Sequence, residues 1–149
     1  MGLDSYLTAE KYMRDYEESE RVISEKIRDS FDTKCPGRVK SVVCEVMYWR
    51  KSNHIHDYFV KNVQGGADDC GKYPVDLDVL QELLDIIHTV IDNHSKASEL
   101  LPTVGGFFFG NTNYDEDYFY DLEYTEKELT KLVNTPDIGT WDFYYQASW

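Results

Sequence analysis

The stretch Trp141-Asp142-Phe143-Tyr144-Tyr145-Gln146-Ala147-Ser148-Trp149 alternates strictly. Trp141, Phe143, Tyr145, Ala147 and Trp149 fall on one side, and Asp142, Tyr144, Gln146 and Ser148 on the other. Successive side chains of a strand point to opposite faces, so this pattern predicts a half-buried strand. Before it, Tyr118, Leu122, Thr125, Leu129 and Leu132 step by four, three, four and three residues, which predicts a helix over 115–133. Asp115, Glu116 and Asp117 suit the positive end of that helix, and Pro136 and Gly139 close it. Gly105-Gly106-Phe107-Phe108-Phe109-Gly110 predicts an apolar strand punctuated by glycines.

Further back, Asp76 or Asp78 caps a helix with the stripe Leu80, Leu83, Leu84, Ile87 and Ile91. A short strand is expected at 73–75, and a helix from about Arg50 to Val63 ends at Gln64-Gly65-Gly66. Arg38 to Trp49 is a strand rich in Val39, Val42, Val43, Val46 and Met47, with Cys44 as a small core residue. Leu3 to Thr8 is a short opening strand. Residues 9–31 predict a helix with a narrow stripe (Tyr12, Tyr16, Ile23, Ile27, Phe31), broken near Glu17–Glu20 and ended by Cys35-Pro36-Gly37. Strands and helices interleave too irregularly for a βαβ series. The expectation is one α+β domain over 1–149, with an antiparallel or mixed sheet carrying helices mainly on one face.

The chain of 149 residues has 28 acidic and 15 basic side chains, a net charge of -13. That total repels a phosphate backbone and argues against direct nucleic-acid binding. No apolar run is long enough to span a membrane. An N-terminus without a basic and apolar leader, and three unpaired-looking cysteines, suit a cytoplasmic protein. The charge is uneven: residues 1–34 carry -3, residues 35–74 carry +2 and residues 75–149 carry -12. The mildly basic middle is where an anion would be sought.

That middle contains Tyr48-Trp49-Arg50-Lys51-Ser52-Asn53-His54-Ile55-His56 at a strand-to-helix junction. Trp49 offers a stacking face, Arg50 and Lys51 positive charge, and Asn53 and His56 directional hydrogen bonds. Helical spacing would put Trp49, Asn53, His56 and Val60 on one flank. Gly106, Phe108, Asn111 and Thr112 of the glycine loop, with Tyr144 and Gln146 of the last strand, would close a pocket over them. His54 and His56 lie two apart and do not share a helix face, so no metal site is expected, and no cofactor. His56 with Asp69 or Cys70 could serve a small hydrolase or transferase, but no spacing fixes a nucleophile and a base together. The stretch 113–128 holds seven acids, one lysine and five aromatics. Asp115, Glu116, Asp117 and Asp121 there suit a partner-facing surface, on a host protein or in imitation of a nucleic acid.

The segments Met1-Gly2-Leu3-Asp4, Tyr48-Trp49-Arg50-Lys51-x-Asn53-x-Ile55-His56, Asp68-Asp69-Cys70-Gly71, Leu101-Pro102-Thr103-x-x-Gly106-Phe107-Phe108-Phe109-Gly110 and Phe143-Tyr144-Tyr145-Gln146-x-Ser148-Trp149 resemble a small family of phage and bacterial proteins. The resemblance spans most of residues 39–149. Residues 9–37 depart from it and look like a charged helical insertion. It implies a compact domain of phage or prophage-like origin, and it transfers neither a mechanism nor a ligand. By analogy with phage accessory proteins, it favours binding over housekeeping catalysis. The leading expectation is therefore a non-enzymatic module for a small anionic ligand such as a nucleotide. The alternatives are an acidic adaptor for a host protein and a small enzyme. A homo-oligomer paired through the C-terminal strand is also expected if that strand is a sheet edge.

Overall fold

Strand β1 (Asp4–Tyr12) pairs antiparallel with β2 (Ser41–Arg50) on one side and with β4 (Asp142–Ser148) on the other. The short β3 (Tyr73–Val75) adds antiparallel to β4, giving the order β2-β1-β4-β3. Helix α1 (Glu18–Asp29) lies between β1 and β2, and α2 (Asn53–Asn62) follows β2. Helices α3 (Leu77–Asp92), α4 (Ala97–Leu100) and α5 (Glu116–Val133) lie between β3 and β4. The computed structural model describes residues 2–149; Met1 of the Met-Gly-Leu-Asp motif lies outside them. The fold is one compact α+β domain.

Alternation decides which sheet face is covered. Ser5, Leu7 and Ala9 of β1, Met47 and Trp49 of β2, and Phe143, Tyr145 and Ala147 of β4 are buried. They meet Ile55 and Phe59 of α2, the α3 residues Leu80, Leu83, Leu84, Ile87 and Val90, and Leu122, Leu129 and Leu132 of α5. Phe59 stacks on Tyr145 at 4.1 Å between ring centroids. The other face carries Asp4, Tyr6, Thr8, Glu10, Tyr48, Tyr144 and Gln146 and stays open to water. There Lys72 reaches Glu10 at 2.9 Å and lies 4.3 Å above the Tyr144 ring, which holds the Glu10 carboxyl below its ordinary range. The expected helix-covered face and open face are both present.

Five local expectations need correction. The residues 9–12 expected in a helix continue β1, because their alternation with β2 outcompetes a weak helical stripe. Helix α1 is shorter than expected, and Ile23 on it stays exposed, as do Tyr16 before it and Phe31 after it; Tyr12, at the end of β1, is exposed too. Residues 105–110 form a turn instead of a strand. Phe109 N–H donates to Gly106 O at 3.1 Å, Gly110 takes a φ of 84°, and a Cβ at Gly106 would meet the Phe109 ring at 2.8 Å. Phe107 is 95% exposed as a result. Cys44 is exposed, because β2 is an edge strand with no second strand along its outer side among the described residues. The C-terminal strand is likewise no edge, since β4 sits between β1 and β3.

The buried indole of Trp49 donates to Thr125 Oγ1 at 2.8 Å. An indole N–H without its acceptor in this core costs about 1–3 kcal/mol. Thr125→Val, close to isosteric, should lower stability by that amount in urea unfolding with the slope of the transition unchanged. An unchanged midpoint would show that the bond contributes nothing.

Candidate functional site

The junction of β2 and α2 builds the site. After Arg50 the chain turns sharply at Lys51, which adopts φ 57°. A non-glycine residue in this left-handed region is uncommon and is held by its surroundings. Lys51 N–H donates to Leu3 O at 2.7 Å, and the Lys51 stem packs beside Gly110, where a Cβ would approach to 3.1 Å. Asn53 then clamps the glycine loop. Its amide donates to Phe109 O and Asn111 O, both at 2.9 Å, and its side-chain oxygen accepts from Val104 N–H at 2.9 Å. Asn53 therefore uses its hydrogen-bonding capacity on the loop and shapes the site's wall.

Arg50, Lys51 and Asn111 line one side of a cleft of about 300 Å³. Asp115, Asp117, Tyr120 and Asp121 from the first turns of α5 line the other, with His54 and Tyr118 at its floor. This volume is at the lower end of the range for small-molecule sites, about 300–1,000 Å³. Asp115 is the N-cap of α5 and accepts from Tyr118 N–H at 3.2 Å, as the acidic helix start suggests. The cleft thus joins two groups that the sequence assigned to rival functions, the basic junction and the acidic helix.

The buried pair at the floor is electrostatically unusual. Burial holds His54 down at about 3, so its ring is neutral near pH 7. It lies 4.0 Å from Asp121 and 4.2 Å, centroid to centroid, from the Tyr118 ring. A neutral imidazole at that distance forms no ion pair with Asp121, despite the short approach. Asp121 is raised to about 6, chiefly by burial, against the lowering effect of a hydrogen bond from Ser52. Asp117 and Asp115 push it up further. Ser52, His54 and Asp121 resemble a catalytic relay in composition only. Ser52 Oγ, at 3.5 Å, and Asp121 Oδ2 both face the same His54 nitrogen, Nε2, and Ser52 is fully buried. A working relay needs the two ring nitrogens on different partners and an accessible nucleophile.

Several sequence-derived residues fall elsewhere. Trp49 is 2% exposed and packs against Phe59 and Tyr145, so it has no free face for a ligand. His56 is buried, with Nδ1 at 2.7 Å from the Tyr145 hydroxyl and Nε2 at 3.0 Å from Asp68. Both nitrogens are engaged, and Asp68 also accepts from Trp149 Nε1 at 3.0 Å, so His56 fastens the end of β4. Asp69 accepts from Gly71 N–H and the Tyr73 hydroxyl, which hold its carboxyl below its usual range. Cys70 (φ 58°) offers its carbonyl to Gln146 Nε2 at 3.2 Å. His56, Asp69 and Cys70 are therefore turn and core residues with no shared reactive geometry. Tyr144 and Gln146 lie on the open sheet face, on the far side from the helices, and cannot close a pocket over the junction. Gly106, Phe108 and Thr112 belong to the loop held by Asn53 but do not line the cleft. Glu116 is exposed beside it.

His54, Tyr118 and Tyr120 are among the cleft residues that sequence reading missed. Tyr120 had a signal: it shares a helix face with Asp117 and Asp121, three and four residues apart. Among the described residues no group of three or more His, Cys, Asp or Glu could hold a metal ion, and no helix is long and apolar enough to cross a membrane. The molecule is thus an α+β domain with a small bipolar cleft. Comparison with protein-family models, curated proteins and solved structures gives no match.

Asp121 holds its proton more tightly folded, at about 6, than at its ordinary 3.8. The raised value means that its ionised form costs stability above pH 6, and that the cost fades as pH falls toward 4. With a quarter of the side chain exposed, the penalty is about 1–2 kcal/mol. Asp121→Asn should raise the thermal midpoint at pH 8 by several degrees and leave it unchanged near pH 4. Equal midpoints at both pH values would contradict a buried, proton-retaining Asp121.

Proposed function

We propose that the protein is a non-enzymatic binding module whose cleft takes a small anionic ligand, a nucleotide above all. The observation that carries this reading is the pairing of walls. Arg50 and Lys51 are the cations that line the cleft, and Lys51 has no carboxylate partner among the described residues. In a chain of net charge -13, a lysine held without a partner by a strained backbone suits an anion supplied from outside. The opposite wall suits the rest of a nucleotide. Asp117 accepts a hydrogen bond from an amino-bearing base, and Tyr120, 69% exposed, offers the stacking face that Trp49 does not. Taken with the resemblance to phage and bacterial proteins, this describes an accessory protein that sequesters a signalling nucleotide in a host cytoplasm.

Calorimetry with cyclic nucleoside monophosphates tests the reading, because their single charge is constant between pH 5 and pH 8. Binding should weaken by about tenfold or more in Arg50→Ala and in Lys51→Ala, consistent with loss of a charge-assisted bond of about 1.5–3 kcal/mol. No heat with any nucleotide, cyclic or linear, would overturn it. The pH dependence has a defined sign. Protonating Asp121 removes a negative charge from the cleft, so affinity should rise about fivefold from pH 8 to pH 5, on the order of 1 kcal/mol. In Asp121→Asn that rise should vanish.

The second reading, an acidic adaptor, is favoured by one specific observation. Glu116 and Asp117 are exposed beside Tyr114 and Tyr120, which are also exposed. Asp115 and Asp121 are instead engaged by the helix cap and by Ser52. A basic host protein would then be lost on Glu116→Gln with Asp117→Asn and kept in Arg50→Ala. The opposite pattern would leave only the nucleotide reading.

A further inference from the structure

The end of the sheet farthest from the cleft has an open surface that the proposed nucleotide site does not use. Strand β2 pairs with β1 on one side only. Near the cleft its outer edge is covered, where Tyr48 N–H donates to the Tyr124 hydroxyl at 3.4 Å. From Ser41 to Val46 the edge has no second backbone partner among the described residues. This segment, Ser-Val-Val-Cys-Glu-Val, is rich in β-branched residues, and Val43 is 55% exposed. A free edge of this composition is a template for another strand.

Helix α1 adjoins it. Val39 N–H donates to Ser24 Oγ at 3.0 Å, and Met13 N–H to Lys40 O at 2.8 Å, which hold α1 beside the start of β2. The helix is amphipathic, yet only Ser24 is buried. Ile23 is 48% exposed and Phe31, just beyond the helix, 62%. Ile27 is half-buried, but an apolar stripe left this open marks a contact surface.

Charge identifies the occupant. Residues 13–40 hold seven acids and seven bases, while the rest of the chain carries the whole -13. Two copies repel each other through nearly every other face. A second copy approaching this neutral stretch of mixed sign would meet no net repulsion there. A basic host protein would instead be drawn to the acidic second half. Antiparallel pairing of two β2 edges about a two-fold axis is isologous and closes on itself, so it gives a dimer and not a fibre.

We propose that a second copy of this chain docks on the face formed by the open edge of β2 and the apolar side of α1. The sheet then continues across the dimer, and each cleft opens at the far end of its own β2. The insertion between β1 and β2 becomes an assembly element and stays separate from ligand binding.

Light scattering on the full chain across the micromolar range tests this. The expected mass is twice the 17.4 kDa of one chain, falling to one chain in Val43→Lys with Ile23→Lys. Both side chains are exposed in the monomer, so the double variant should keep its far-ultraviolet circular dichroism and thermal midpoint. Alkylation of the exposed Cys44 should slow with rising protein concentration in the native chain and stay constant in the double variant. A native chain that remains monomeric overturns the proposal. So does a dimer of unchanged mass in the double variant, which would place the contact elsewhere.

Discussion

The rest of the structure depends on the burial of Trp49. Its indole packs against the stacked pair of Phe59 and Tyr145, and its N–H reaches Thr125 Oγ1 in the middle of α5. That bond fixes how α5 lies against the end of β2. One turn before Thr125, Asp121 meets Ser52 and His54, and one turn earlier still Asp117 faces the cleft. With Trp49 committed to the core, Arg50 and Lys51 are delivered to the rim opposite those carboxylates. The residue that looked most like a ligand platform instead holds the cleft's two walls together.

The cleft's bipolar character has a cost that is visible in its own groups. Asp121 is destabilised as an anion, and His54 is kept neutral, because both lie where water is largely excluded. Under the proposed reading such groups would raise selectivity, since a ligand would have to satisfy both a cationic rim and an acidic wall. The total charge of -13 also hides a local pattern: Arg50 and Lys51 stand together at one junction, across the cleft from Asp115, Asp117 and Asp121.

Much of the fold was legible in the sequence. The alternation of Trp141–Trp149 marks β4 and its buried face, and the four-three spacing from Tyr118 to Leu132 gives α5, with Asp115 at its cap. The site was harder to read for a definable reason. Spacing of 3.6 was carried back from α2 to Trp49, but β2 runs to Arg50 and the helix starts at Asn53, so a period of two governs the residues before the turn. This misassigned Trp49 and His56 and passed over His54. Phe107–Phe109 misled in another way: three apolar residues look like a strand, and only the φ of Gly110 and the clamp from Asn53 make them a turn. That Cys44 stands on an open edge could not be read locally, because edge position is a property of strand order.

The central claim is that an anion enters the cleft at Arg50 and Lys51. The most direct measurement is amide chemical-shift mapping during titration with a cyclic nucleoside monophosphate. Shifts should concentrate at residues 50–54, at 110 and 111, and over 115–121, with β4 and α1 unmoved. No shifts at saturating ligand, or shifts centred on the open sheet face around Tyr144 and Gln146, would contradict it.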